Sequence, residues 1–212
     1  MMKKLVLLIS LVLVSAVAAN AQLSLGLSSG GVLGADTYKN ATVGPGYFGE
    51  LNVRYLMNNR MYVSFVPRFE SSSYQSKASS PDQFYYYTNS MFFPFRFGHV
   101  SALSDKVNLF YDLGPSLHWI MTNIHQGPLY GVELSKTVHP ITQGYSKRFN
   151  MDMGATVGVE VWNHFRVSAG FDFGVLPERT KAFQENFQVA DTYPYSFRLG
   201  VGYYFSFRKR RQ

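Results

Sequence analysis

The chain has 212 residues and a formal charge of +7, with 46% hydrophobic, 17% aromatic and only 16% charged residues, and no cysteine. The lack of cysteine excludes a disulfide framework, a thiolate metal site and a cysteine nucleophile. A basic balance invites nucleic-acid binding, but six basic residues lie at the two ends (Lys3, Lys4 and 208–211) and the remainder carries only +1. Nucleic acid is therefore not an expected partner.

The N-terminus has the layout of a secretory signal. Two lysines precede an apolar stretch from Leu5 to about Val14, and small residues end in Ala19-Asn20-Ala21. This pattern predicts a cleaved signal peptide, 1–21, with the mature chain beginning at Gln22. A membrane-anchoring helix is the alternative, but the apolar run is shorter than the ~20 residues that span a bilayer.

Most of the mature chain alternates between apolar and polar residues with period two. The last segment, 195–207, has an unbroken apolar face opposite Ser196, Arg198 and three small residues, which predicts a β-strand longer than the usual 5–6 residues. The same template predicts eight strands, at 23–33, 47–55, 61–70, 90–98, 107–121, 149–161, 166–175 and 195–207.

The predicted connections alternate in length. Short ones fall near 57–60, 99–106 and 162–164, and long ones near 34–45, 71–88, 122–146 and 177–192. Such alternation is typical of an outer-membrane barrel, with extracellular loops at one end and periplasmic turns at the other. An even strand number leaves both termini periplasmic.

The polar face decides between a soluble sandwich and a membrane barrel. In the former this face meets water, and in the latter it fills the lumen. The bulky aromatic face would overfill a small core, and Tyr and Trp near strand ends are typical of interfacial girdles. Six acids balance five bases on the polar face, which suits an enclosed lumen: Glu50, Arg54, Arg68, Glu70, Arg96, Asp112, Asp152, Glu160, Arg166, Asp172 and Arg198. We therefore predict an all-β fold, an eight-stranded antiparallel transmembrane up-and-down β-barrel over 22–207.

Several motifs resemble the Bacteroidetes-type outer-membrane β-barrel proteins called porin-like or PorT-like. These are the signal end at Asn20-Ala21-Gln22, a Pro-containing strand at 92–98, Tyr-Asp-Leu-Gly-Pro at 111–115 and the closing strand at 200–207. The resemblance implies an eight-stranded barrel in the outer membrane of a Gram-negative bacterium. It also implies insertion by the barrel-assembly machinery, which reads an aromatic C-terminal strand. This chain continues past Phe207 into a basic tail, 208–212, expected to be periplasmic.

An eight-stranded barrel encloses only enough space for side chains or one small ligand. The charged face therefore predicts a structural salt-bridge network, with a narrow passive channel as the alternative. A lipid-modifying enzyme is the second alternative, with Ser116, His118, His125 and Glu133 as candidates near the outer rim. No spacing signature supports a catalytic triad, and we predict no enzyme, cofactor or metal site.

The long connections carry aromatic residues among Ser, Asn, Gln and Lys. Exposed aromatics with adaptable polar neighbours suit the binding of an extracellular protein or glycan; placement in an upper aromatic girdle is an equal alternative. The candidates are Tyr74, Tyr86, Tyr130, Tyr145 and Phe183.

Overall fold

The computed structural model describes residues 23–37, 41–57, 60–76, 85–126, 137–138, 144–181, 184–185 and 191–206. The predicted signal peptide, 1–21, and the predicted tail, 208–212, lie outside these residues. Within them, no helix is long and apolar enough to cross a membrane.

The described chain is built from antiparallel strands. Their bounds are β1 Leu23–Asp36, β2 Ala41–Leu56, β3 Met61–Phe65, β4 Arg68–Ser76, β5 Tyr85–Ala102, β6 Val107–Gln126, β7 Thr137–Val138, β8 Phe149–Val161, β9 Phe165–Gly174 and β10 Pro194–Ser206. Because β3 and β4 share one position between β2 and β5, and β7 pairs only with the end of β6, eight positions form the ring. The ring closes where β1 pairs with β10, which confirms the predicted eight-stranded antiparallel barrel.

The register fixes the width of the barrel. Leu23 on β1 pairs with Tyr55 on β2, and each paired residue leads in turn to its partner on the next strand. After one circuit of the ring the path returns to β1 at Leu33. The shear is therefore ten residues. With a rise of about 3.3 Å and a strand spacing of about 4.7 Å, eight strands at this shear tilt by about 40° and enclose a backbone radius of about 8 Å.

The predicted third strand is interrupted at Val66 and Pro67. Proline has no N–H to donate to a strand ladder. Hydrogen bonds to the neighbouring strands nevertheless continue across the interruption. Leu51 N–H donates to the Pro67 carbonyl at 3.0 Å, and Val66 N–H donates to the Pro94 carbonyl at 3.0 Å. β3 and β4 are thus two halves of one bent strand.

Several strands extend beyond their predicted ends. β1 continues to Asp36 and β2 begins at Ala41, so together they cover most of the predicted loop 34–45. β4 continues to Ser76, β5 begins at Tyr85, and β6 continues to Gln126. His99, expected in a short turn, lies within β5. Sequence alternation misses these ends because both faces there carry polar or small residues, whereas the backbone pairing continues.

The distribution of apolar and polar side chains in the barrel is the reverse of that in a soluble protein. Among the described residues, 33 large hydrophobic side chains are exposed, whereas only 12 hydrophobic residues are buried beside 28 buried polar or charged residues. Leu113 and Val201, on the outward face, are exposed by 59% and 62%. An outer surface of this kind fits hydrocarbon, so the fold is a transmembrane barrel.

Candidate functional site in the barrel lumen

The eleven charged residues predicted for the polar face all point into the lumen. Ten of them are buried, and the side chain of Glu50 is 10% exposed. The strand period of two is the local cause, because each alternates with an outward apolar neighbour. The lumen is thus lined by charge in almost matched numbers.

The central cluster is built around Asp172 on β9. Its carboxylate accepts hydrogen bonds from Arg68 at 2.8 Å and from Arg96 at 2.6 Å, and Arg198 Nη2 lies 2.8 Å away. Glu70 lies 3.2 Å from Arg68, and Glu50 lies 3.6 Å from Arg198. Three buried guanidiniums therefore converge on one carboxylate.

A second cluster lies toward the short-turn end, where 162–164 connect β8 and β9. Arg54 donates to both carboxylate oxygens of Glu160. Tyr62 donates to Asp112 at 2.7 Å, and Arg166 lies 3.6 Å from the same carboxylate.

Two ion pairs cross the lumen. Arg54 on β2 faces Glu160 on β8, and Arg68 on β4 faces Asp172 on β9. In each pair the two strands lie on opposite sides of the eight-position ring. The side chains therefore fill the section of the barrel rather than line an open path.

Inward aromatic rings complete the packing, and the sequence analysis assigned them no role. The guanidinium of Arg68 lies 4.4 Å from the centre of the Phe92 ring, and that of Arg166 lies 3.4 Å from the centre of the Phe110 ring. Such stacking stabilises a desolvated cation. The sequence could have assigned both rings to the inward face, since Phe92 is four residues from Arg96 and Phe110 is two residues from Asp112 along the same strands.

Above the central cluster, toward the long-loop end where β10 begins, lies a cavity of about 40 Å³. On one wall the His118 ring stacks on Phe92, with centroids 4.1 Å apart, and His118 Nδ1 lies 3.3 Å from Asp152 Oδ2. Asp152 Oδ1 and both ring nitrogens of His118 are buried and have no hydrogen-bond partner among the described residues. The space suffices for a few water molecules.

Tyr74 and Tyr86, predicted as exposed loop aromatics, lie elsewhere. They are on β4 and β5, exposed by only 6% and 1%, and their rings stack at 4.7 Å inside the barrel. Tyr86 donates to Glu178 at 2.5 Å, and Arg179 Nη1 lies 3.8 Å from that carboxylate. The prediction was wrong for both tyrosines because their strands continue past the apolar band.

The other loop candidates have different positions. Tyr145 is described and half-buried, close to a bridge between Ser146 and Arg179 that connects two long-loop segments. Tyr130 and Phe183 lie outside the described residues.

The residues weighed for catalysis are held inside the lumen. Ser116 and His118 are exposed by 1% and 6%, and His125 on β6 by 2%. The Ser116 hydroxyl donates to the Leu117 carbonyl at 3.3 Å, and His118 faces Asp152 instead. Glu133 lies outside the described residues. Among the described residues, no group of three His, Asp or Glu could hold a metal ion.

The strand register, the outward apolar band and the filled lumen define an eight-stranded transmembrane β-barrel. No protein-family model matches the chain, and no curated protein matches it.

Several solved structures are similar to this chain over most of its length. They include Ail, the attachment invasion locus protein of Yersinia pestis, in complex with the heparin analogue sucrose octasulfate (16% identity, 87% of this chain, 99% of that chain, TM-score 0.46). They also include Neisserial surface protein A (13%, 87%, 98%, 0.43) and the outer membrane protein OprG from Pseudomonas aeruginosa (9%, 88%, 98%, 0.46).

Proposed function

We propose that this chain is an integral outer-membrane β-barrel with a structural or surface-binding role and no open transport path. The observation that carries the proposal is the pair of ion pairs that join opposite strands across the lumen, Arg54–Glu160 and Arg68–Asp172. A buried charge that loses its partner costs several kcal/mol. The network therefore resists opening, and a narrow passive channel is the disfavoured alternative.

Planar-bilayer recordings test this proposal. The barrel is expected to show no discrete openings after insertion, although its bands on gels should shift on boiling as those of a folded barrel do. Replacing Arg54 and Glu160 together by Ala removes one crossing pair without taking the carboxylate from any other arginine in the described ion pairs, and gives the matched variant for leakage. Regular openings of the parent barrel would contradict the filled-lumen proposal.

The surface role is assigned to the long connections, which would be extracellular, with the termini periplasmic. Because the filled lumen leaves little for solutes to reach, these segments are the parts that can meet a partner. Tyr145, which is half-buried, stays a loop candidate, as do Tyr130 and Phe183, which lie outside the described residues. The partner class is an extracellular protein or a glycan, bound by aromatic and adaptable polar side chains.

Replacing the long connections one at a time by short turns tests the surface role. Cells that display the parent barrel should capture a labelled glycan or protein from neighbouring cells. At least one variant with a shortened connection should lose this capture, although its gel mobility still changes on heating as that of a folded barrel does. Equal retention by all shortened variants would remove the surface role and leave the structural one.

We infer that the barrel belongs to the Bacteroidetes-type family named above and is inserted by the barrel-assembly machinery after cleavage of 1–21. Support comes from the sequence motifs, of which the Pro-containing segment 92–98 lies wholly within β5. Depletion of that machinery should leave the chain unfolded in the periplasm.

We propose that the chain is not a lipid-modifying enzyme. Ser116, His118 and His125 are buried in the lumen, whereas an acyl chain in the membrane lies outside the ring. Mass spectra of lipid A should be the same in cells that express the parent barrel and in cells that express a variant with both histidines replaced. A difference would contradict this proposal.

A further inference from the structure

Within the described part of the chain, one carboxylate of the lumen network forms no ion pair with a guanidinium. The network has six carboxylates and five guanidiniums, so it carries one surplus negative charge when His118 is neutral. The other five carboxylates each lie within 4.0 Å of an arginine nitrogen. Asp152, in contrast, meets only His118 among the described ion pairs. The surplus charge therefore lies at Asp152.

Asp152 lines the cavity above the central cluster. The lining includes four carboxylates and His118, but no lysine or arginine. Glu70 and Asp172 face the arginines of the central cluster, and Glu178 accepts from Tyr86. Asp152 Oδ1 is the carboxylate oxygen left over, in a residue exposed by only 2%. A buried charge of this kind is costly unless it is paired.

His118 adds a second acceptor. His118 Nδ1 lies 3.3 Å from Asp152 Oδ2 without forming a hydrogen bond. A neutral ring with its proton on Nδ1, the nitrogen beside the carboxylate, has a lone pair on Nε2. That nitrogen has no hydrogen-bond partner among the described residues. Hard cations such as Ca²⁺ and Mg²⁺ take oxygen ligands, whereas an ammonium group has three N–H donors that can reach both a ring nitrogen and a carboxylate.

We propose that this cavity binds a small primary ammonium group, which donates hydrogen bonds to Asp152 Oδ1 and His118 Nε2. The volume of about 40 Å³ limits the ligand to an ammonium head with at most a short substituent. The hydroxyls of Thr88 and Ser90, on the same lining, hydrogen-bond to each other at 3.3 Å, and a hydroxyl oxygen has a further lone pair that can accept a third N–H. The bound cation balances the surplus negative charge of the eleven-residue network.

Calorimetric titration of the full barrel in detergent micelles with methylammonium chloride tests the proposal. One saturable site per chain is expected. Asp152→Asn should weaken binding at least about tenfold, because the charge is lost while the shape is kept. The control Asp105→Asn removes a carboxylate from an exposed turn and should bind as the parent does.

Two further arms keep the test decisive. Tetramethylammonium, which has no N–H donor, should bind at least about tenfold more weakly than methylammonium. His118→Phe keeps a ring on Phe92 but removes the nitrogen acceptor, and it should also weaken binding, which decides the matter if Asp152→Asn fails to fold. Unchanged affinity in either folded cavity variant, or equal affinity for the two amines, would overturn the proposal. The outcome does not depend on conductance or on the loops.

Discussion

At the scale of single residues, Asp172 is the most connected charge in the lumen. Three guanidiniums from β4, β5 and β10 lie within 2.8 Å of its oxygens. Burial of so many charges stabilises the fold only while every partner is present. The residue therefore links three strands that are distant in sequence.

Asp172→Asn should lower the free energy of unfolding by about 3 kcal/mol or more, because three buried arginines then share a neutral amide. Urea titration of the barrel in lipid vesicles, followed by tryptophan fluorescence, measures the change. Asp105→Asn is the charge-matched control at an exposed turn and should stay within about 0.5 kcal/mol of the parent. If Asp172→Asn left the free energy of unfolding almost unchanged, the central cluster would add no stability.

At the scale of strands, β8 approaches the central cluster through a glycine. A Cβ added at Gly154 would collide with Asp172 Oδ1 and Arg96 Nη2. Gly154 also accepts a hydrogen bond from Arg96 through its carbonyl at 3.0 Å. The missing side chain on β8 thus makes room for the ion pair between β5 and β9.

Gly154→Ala should destabilise the barrel by about 1–3 kcal/mol, since the methyl group displaces that ion pair. The matched control is Gly49→Ala on β2, where an added Cβ would meet nothing within 4 Å. The same urea titration compares the two. Equal stabilities of the two variants would contradict close packing of the lumen at Gly154.

The strand ends show what alternation can and cannot predict. Along β10 the apolar face from Tyr195 to Phe205 was correctly assigned to the outside, because successive side chains of any strand point to opposite sides. At Tyr74 and Tyr86 the pattern fades, since the segments 71–76 and 85–88 do not alternate between apolar and polar residues. The paired backbone nevertheless continues, and this placed both rings in the lumen.

At the scale of the whole molecule, the outer surface must match its solvent. Leu113 lies in the middle of the outward band, paired with Phe97 and Ala155 on the neighbouring strands. Leu103 lies in the turn after β5 and is exposed by 62%. A membrane distinguishes these two leucines, whereas water does not.

Leu113→Arg should cost about 2–4 kcal/mol in a bilayer, and Leu103→Arg only about 0–1 kcal/mol, because the cost of a charge falls toward the interface. Reversible unfolding from lipid vesicles measures both. If the two variants were equally stable, the outer face at Leu113 would be in water and the membrane assignment would be wrong.

The sequence by itself determined which charged side chains of the regularly alternating strands face inward. The period of two is a local property of an extended backbone, so Arg68, Asp172 and their companions could be assigned to one face without knowledge of any partner. The number of ring positions followed from the same pattern. Neither result required a contact between distant residues.

Only the tertiary structure decided which charges meet. Arg68 and Asp172 are 104 positions apart, and their contact depends on the register of every strand pair around the ring, which sums to a shear of ten residues. A shift of one pair would move all later strands relative to the first. Hence the surplus charge of the lumen could be counted in the sequence, whereas its location at Asp152, beside His118 and a cavity, could not.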